Sequence, residues 1–271
     1  MVLEKSRIIS GILLAVFCVL LIIYAPLWLF KVFILAVAGL CLREFMGLVL
    51  PKLPSSAPLL GVLAGLFFSG VMLFADKGSE LWMGSLALIL VVIFVYYLVV
   101  HENLQQVLSQ ISITLLGCIY IGCFFSYAGL LRGLEHGVFW VFFVAGATFF
   151  ADTSAYFIGH IFGRHKLAPD VSPGKTIEGL IGGVLGSLGA ALLCRFLFWD
   201  AFSLTHCIVL GVLIGLIGPL GDLSESLIKR SVGVKDSGNL IPGHGGLLDR
   251  VDALLFTVPL VYYYAKYFVL R

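Results

Sequence analysis

LTHCIVLGVLIGLIGPLGDLSESLIKR, Leu204 to Arg230, runs from apolar sequence directly into charge. As a helix, its apolar part is long enough to cross a hydrocarbon layer about 30 Å thick. The charged part continues the helical spacing. Asp222, Ser226, Lys229 and Arg230 stand at i, i+4, i+7 and i+8 and so share one face. Asp222 then lies near or below the membrane surface, where an ionised carboxylate is costly without a partner. Either an Asp–Lys or Asp–Arg pair fixes helix packing there, or the face is a working site.

Similar apolar runs recur along the whole chain. Of its 271 residues, 61% are hydrophobic and 12% charged, and the mean hydropathy is +1.10. An all-α, polytopic membrane protein is expected, because a helix satisfies its own backbone polar groups in lipid. Nine spans are expected, near 8–24, 28–42, 58–75, 81–100, 110–131, 138–162, 177–198, 206–226 and 252–270. The ten-residue alternation of a membrane barrel is missing. The N-terminal apolar part is longer than a signal h-region and another span follows closely, so an uncleaved anchor is expected. Cys18, Cys41, Cys118, Cys123, Cys194 and Cys207 lie in or beside apolar runs and read as small packing residues. A net charge of +2 gives no surface for nucleic acid.

Basic residues set the orientation. With the N-terminus inside, one side receives Lys5, Arg7, Arg43, Lys52, Arg164, Lys166, Lys175, Lys229, Arg230, Lys235 and Arg250. The other receives Lys77, Arg132, Arg195, Lys266 and Arg271, with Lys31 inside a span. This bias puts the polar loops of the second half in the cytoplasm. Residues 1–135 read as transmembrane scaffold. Residues 136–271 read as the working part, with polar segments 152–178 and 221–252 beside a cavity open to the cytoplasm. The compact length, without a long soluble N-terminal extension, favours a bacterial plasma membrane.

Within KDSGNLIPGHGGLLDRVD, Lys235 to Asp252, three aspartates, a lysine, an arginine, a histidine and four glycines gather. Pro242 breaks a helix and the glycines weaken one. Successive glycine amides can form a concavity for phosphate oxygens, and a helix starting near Leu247 would turn its positive end there. Asp249 and Asp252, at i and i+3, share its first turn. They either complement the helix dipole or hold a metal. Mg²⁺ takes hard oxygen ligands and leaves positions for substrate phosphates, while Lys and Arg offset the remaining charge. His244 donates to a phosphate, acts as an acid, or caps the loop. In the first polar segment Asp152 stands one turn before Tyr156, and Gly159 and Gly163 have small-xxx-small spacing. SPGKT is not a Walker motif: the first glycine position falls on Pro169, and no strand is expected before it. A Ser-Pro turn at Ser172 and a helix start remain, with Lys175 and Thr176 able to touch a phosphate and Glu178 in the first turn. Gly182, Gly183, Gly186 and Gly189 read as a packing face.

Ser226 to Asp252 resembles the signature of the phosphatidate cytidylyltransferases, S-x-x-K-R, four residues, K-D, then P-x-H-G-G-x-x-D-R-x-D. Gly221–Leu223, Glu225, Asp152–Tyr156 and the SPxKTxEG segment are similar too. Gly174 departs from the pattern, standing where relatives often carry a basic residue. The resemblance covers roughly residues 150–255. It implies transfer of a cytidylyl group from CTP to phosphatidic acid at a bilayer, giving CDP-diacylglycerol and pyrophosphate with Mg²⁺. It also implies that Asp222 and Asp249 hold metal and that Ser226, Lys229, Lys235 and Asp236 line the site. A neighbouring K⁺ and a homodimer belong to the same implication. Within that mechanism Lys229, Arg230, Lys235 and Arg250 are expected to screen phosphate charge. Asp236 and Asp252 either orient those cations or ligate metal. An ion-coupled transporter is disfavoured, since the charges cluster on one side and no paired broken helices occur.

Overall fold

The computed structural model describes residues 11, 15–50, 56–75, 78–101, 103–199, 202–238 and 245–270. Long apolar runs form α1 (Leu27–Val49), α2 (Ser56–Phe74), α3 (Gly78–Val100) and α4 (Leu104–Gly117). A π-helical turn, Cys118–Cys123, carries α4 into α5 (Phe124–Arg132). Then follow α6 (Gly137–Phe162), strands β1 (Lys166–Ala168) and β2 (Ser172–Thr176), α7 (Ile177–Phe198) and α8 (Leu204–Ser231). The last helix, α9 (Leu248–Tyr264), ends in a π turn, Ala265–Val269.

Among the described residues seven helices are long and apolar enough to cross a membrane, where nine spans were expected. The expected span 8–24 falls partly outside the described residues, and its described part includes a short apolar helix, Ala15–Tyr24. The expected span 252–270 corresponds to the 17-residue α9 and its five-residue π turn, which are not among those seven. The connector residues from Pro51 to Ser55, with Lys52, the turn residues Asp76 and Lys77, and Lys5, Arg7 and Arg271 lie outside the described residues.

Cα packing divides the chain into two units, Met1–Gly129 with Asp236–Leu248, and Leu130–Lys235 with Asp249–Arg271. In the first unit α1 packs on α2 with buried Leu42 against Gly65 and buried Met46 against Gly61. A Cβ at Gly122 in the π turn would stand 2.8 Å from the Gly65 carbonyl oxygen of α2. Only a missing side chain permits that approach. One turn further on, Ser126 Oγ donates to Gly122 O at 2.6 Å, so Ser69 Oγ is the donor in the 2.6 Å contact between the two serines. A buried interhelical hydrogen bond of this kind satisfies polar groups that lipid could not.

The second unit is built on the glycine-lined packing of α6 against α7. A Cβ at Gly183 would meet Ala151 O at 3.2 Å, and one at Gly186 would meet Phe150 O at 2.7 Å. The expected packing face is therefore present at Gly182, Gly183 and Gly186, while Gly189 borders open space. Gly159 and Gly163 do the corresponding work on α6, lying close to Gly179 and Thr176. α8 packs on α7 at Gly211 and Gly215, where added Cβ atoms would crowd Leu188 and Val184. It ends at left-handed Gly233 (φ 79°), and Val234 N–H returns to Lys229 O at 3.0 Å.

The β1–β2 hairpin was not expected from the sequence. Lys166 pairs with Thr176 and Ala168 with Ser172, antiparallel, so SPGKT is a strand leading straight into α7 rather than a simple turn. Strands of three and five residues are too short to leave a readable alternation.

Candidate active site

A cavity of about 840 Å³ lies within the second unit, lined from α6, α7, α8 and α9 and from the hairpin. From α6 come Asp152, Tyr156 and His160. The hairpin brings Lys166, Ser172, Lys175 and Thr176. α8 contributes Asp222, and the first turn of α9 adds Asp249, Arg250 and Asp252. Four carboxylates thus face three lysine or arginine side chains, an acidic excess gathered where apolar helices end.

Asp222 has both oxygens engaged. Lys175 Nζ lies 2.7 Å from Oδ2, and Ser226 Oγ donates to Oδ1 at 3.3 Å. One helical turn links Ser226 to Asp222, as the shared-face spacing requires. Lys175 reaches α8 because β2 runs extended toward it, and its ammonium also donates to Pro219 O at 3.4 Å.

Lys229 points inward. Its ammonium sits 2.6 Å from Glu225 Oε2 and 2.6 Å from Asp249 Oδ1, tying α8 to the start of α9. Glu225 is almost wholly buried. Among the described residues its Oε1 has no hydrogen-bond partner, so Lys229 carries the compensation for that carboxylate. Sequence reasoning noted Glu225 only through the resemblance. Its i,i+4 spacing to Lys229 was the available signal.

Arg230 leaves the shared face. Its guanidinium is exposed and donates to Val171 O at 3.4 Å and Val234 O at 3.0 Å, bracing the hairpin loop outside the cavity lining. Glu178 also stands outside the lining. It accepts from Arg164 N at 3.1 Å and from His165 N and Nδ1, the last at 2.6 Å, so it clasps the chain entering the hairpin. Thr176 lines the cavity while its oxygen accepts from Gly179 N at 3.1 Å as the N-cap of α7. Asp252 Oδ1 accepts from Ala253 N at 2.8 Å. Lys235 and Asp236 are exposed and absent from the lining, and His244 lies outside the described residues. The sequence did not single out Lys166 or His160 as lining residues. Lys166 Nζ donates to Pro173 O at 2.7 Å, and His160 stacks on Tyr156. Gly174 also borders the cavity, and a side chain there would meet open space.

Carboxylate oxygens, the donors this cavity offers, are of the type Mg²⁺ takes. Among the described residues no three of His, Cys, Asp and Glu converge as a complete metal cage. Mg²⁺ needs none, since it is commonly held by one or two carboxylates and completed by substrate phosphates and water. Asp222 and Asp249 line the same cavity, each with a lysine ammonium against one carboxylate oxygen.

Residues 5–268 match the model of the cytidylyltransferase family. The chain belongs to that family. The phosphatidate cytidylyltransferase of Bacillus subtilis is 34% identical over 264 residues, covering 96% of each chain. That of Staphylococcus saprophyticus is 32% identical over 250 residues, covering 89% of this chain and 93% of its own. A shorter match to the phosphatidate cytidylyltransferase of Synechocystis reaches 53% identity over 115 residues, 42% of this chain and 39% of the other.

Proposed function

We propose that this chain transfers the cytidylyl group of CTP to phosphatidate, releasing pyrophosphate and leaving CDP-diacylglycerol in the membrane. The observation that carries the reading is the cavity itself. Asp152, Asp222, Asp249 and Asp252 share it with Lys166, Lys175 and Arg250 in a chain of the cytidylyltransferase family.

An oxygen of the phosphatidate phosphate attacks the α-phosphorus of CTP. The new P–O bond forms as the bond to the bridging oxygen of the β-phosphate breaks, and pyrophosphate carries away the electron pair. A phosphomonoester has its second pKa at about 6, so the nucleophile is largely ionised at neutral pH and needs no strong base. Alignment and charge neutralisation are then the main tasks. Lys175 and Arg250 screen the repulsion between the two anions, and Lys166 also lines the cavity. Asp222 and Asp249 would hold Mg²⁺, which supplies positive charge against the triphosphate and the departing pyrophosphate. Ser226 and Lys175 orient Asp222, and Lys229 orients Asp249. Lys229 and Arg230 therefore act on protein groups rather than on phosphates, a change from the phosphate-screening role expected of them.

The basic-residue bias supports a cytoplasmic opening in a bacterial inner membrane, with Arg164, Lys166, Lys175, Arg230 and Arg250 on that side. There the soluble nucleotide and the anchored lipid phosphate can meet. Purified protein incubated with α-labelled CTP, phosphatidate and Mg²⁺ should yield a labelled lipid and unlabelled pyrophosphate. A labelled lipid that forms without phosphatidate, or no labelled lipid at all, overturns the assignment.

A further inference from the structure

The chain entering α9 is Gly245-Gly246-Leu247-Leu248, which offers no Ser, Thr, Asp or Asn to cap the helix locally. The cap comes from 203 residues away. Glu44, near the C-terminal end of α1, accepts from Leu247 N at 3.0 Å through Oε1 and from Leu248 N at 2.9 Å through Oε2. A carboxylate bridging two consecutive amides satisfies donors the helix leaves orphaned, and its charge suits the positive helix end. Two glycines make room for it. A Cβ at Gly238 would stand 2.8 Å from Glu44 Oε1, and one at Gly246 would stand 2.9 Å from Oε2. All of these groups lie within the first unit.

We infer that Glu44 is a positioning residue, which fixes the start of α9 and through it the placement of Asp249. Asp249 directly follows Leu248 along the chain, in the turn whose opening amides Glu44 holds. Those two amides are consequently committed to Glu44 and are not donors to phosphate, as the glycine-rich sequence had suggested. Gly246, a member of the His-Gly-Gly signature, gives clearance to Ser237 Oγ first and to the Glu44 carboxylate beside it.

The inference rests on the proposed cytidylyl transfer for its consequence but not for its geometry, so the two are tested separately. Amide hydrogen exchange is measured on full-length protein without Mg²⁺ or CTP, comparing wild type with Glu44→Gln. Glutamine keeps one acceptor and turns a donor toward the second amide. Exchange at Leu247 and Leu248 should accelerate roughly tenfold, the scale of a lost helix cap. Exchange elsewhere along α1 should not change. In the transfer assay the Mg²⁺ concentration for half-maximal rate should rise several-fold with the thermal midpoint little altered. Gly238→Ala, whose added methyl group has only Glu44 atoms as its nearest neighbours, should give the same signature, and the double variant little more than either alone. Unchanged exchange at Leu247 and Leu248, acceleration spread along α1, or additive effects in the double variant would overturn the inference. Wild-type protein that exchanges as expected but transfers no cytidylyl group would sink the proposed function and leave the anchor standing.

Discussion

Lys229→Met isolates what one ammonium does between two carboxylates. Methionine keeps most of the stem and deletes the charge that stands 2.6 Å from both Glu225 Oε2 and Asp249 Oδ1. The side chains concerned are only 11%, 2% and 12% exposed, so solvent cannot replace the lost partner. Glu225 suffers most, because its other oxygen has no hydrogen-bond partner among the described residues. Removing one member of a buried ion pair costs about 3–5 kcal/mol. At roughly 2–4 °C per kcal/mol for a chain of this size, the thermal midpoint should fall by about 6–20 °C. The assay is thermal unfolding of detergent-purified protein, followed by a probe of tertiary structure. Lys229→Met/Glu225→Gln removes one of the two stranded charges and should recover about half of the loss. A single variant as stable as wild type, or a double variant less stable than the single, would refute the buried bridge.

Asp249→Asn should abolish transfer, at least 100-fold, while Lys229 keeps its Glu225 partner and the protein still inserts in the membrane; near-normal turnover would remove Asp249 from the metal site. Lys175→Ala frees Asp222 Oδ2 from its 2.7 Å ion pair and should slow transfer by roughly 10-fold, less than Asp249→Asn, in steady-state assays. Gly122→Ala places a Cβ 2.8 Å from Gly65 O and should destabilise the protein by about 1–3 kcal/mol in thermal unfolding, with the Mg²⁺ dependence of transfer unchanged.

Much of this protein is legible in its sequence because the signals are local. Apolar runs such as Ser56–Phe74 and Ile177–Phe198 announce membrane-length helices wherever they pack. The spacing of Asp222 and Ser226 brings them together through the geometry of one helix, and the observed hydrogen bond follows from that. The charge-rich segments likewise identified Asp152, Lys175, Asp249 and Asp252 as candidates, and the fold gathers them around one cavity. Tertiary structure alone decided which partner each charge takes. Lys229 and Arg230 are neighbours in sequence, yet one is buried between carboxylates and the other braces an exposed loop. Glu178 clasps the hairpin entrance rather than facing the cavity. The amides of Leu247 and Leu248 meet Glu44, from the part of the sequence that looked like scaffold. The physical reason is that hydrophobic periodicity and helical spacing act over a few residues. A hydrogen bond spanning 203 residues exists only after whole helices have packed and brought its two ends within 3.0 Å.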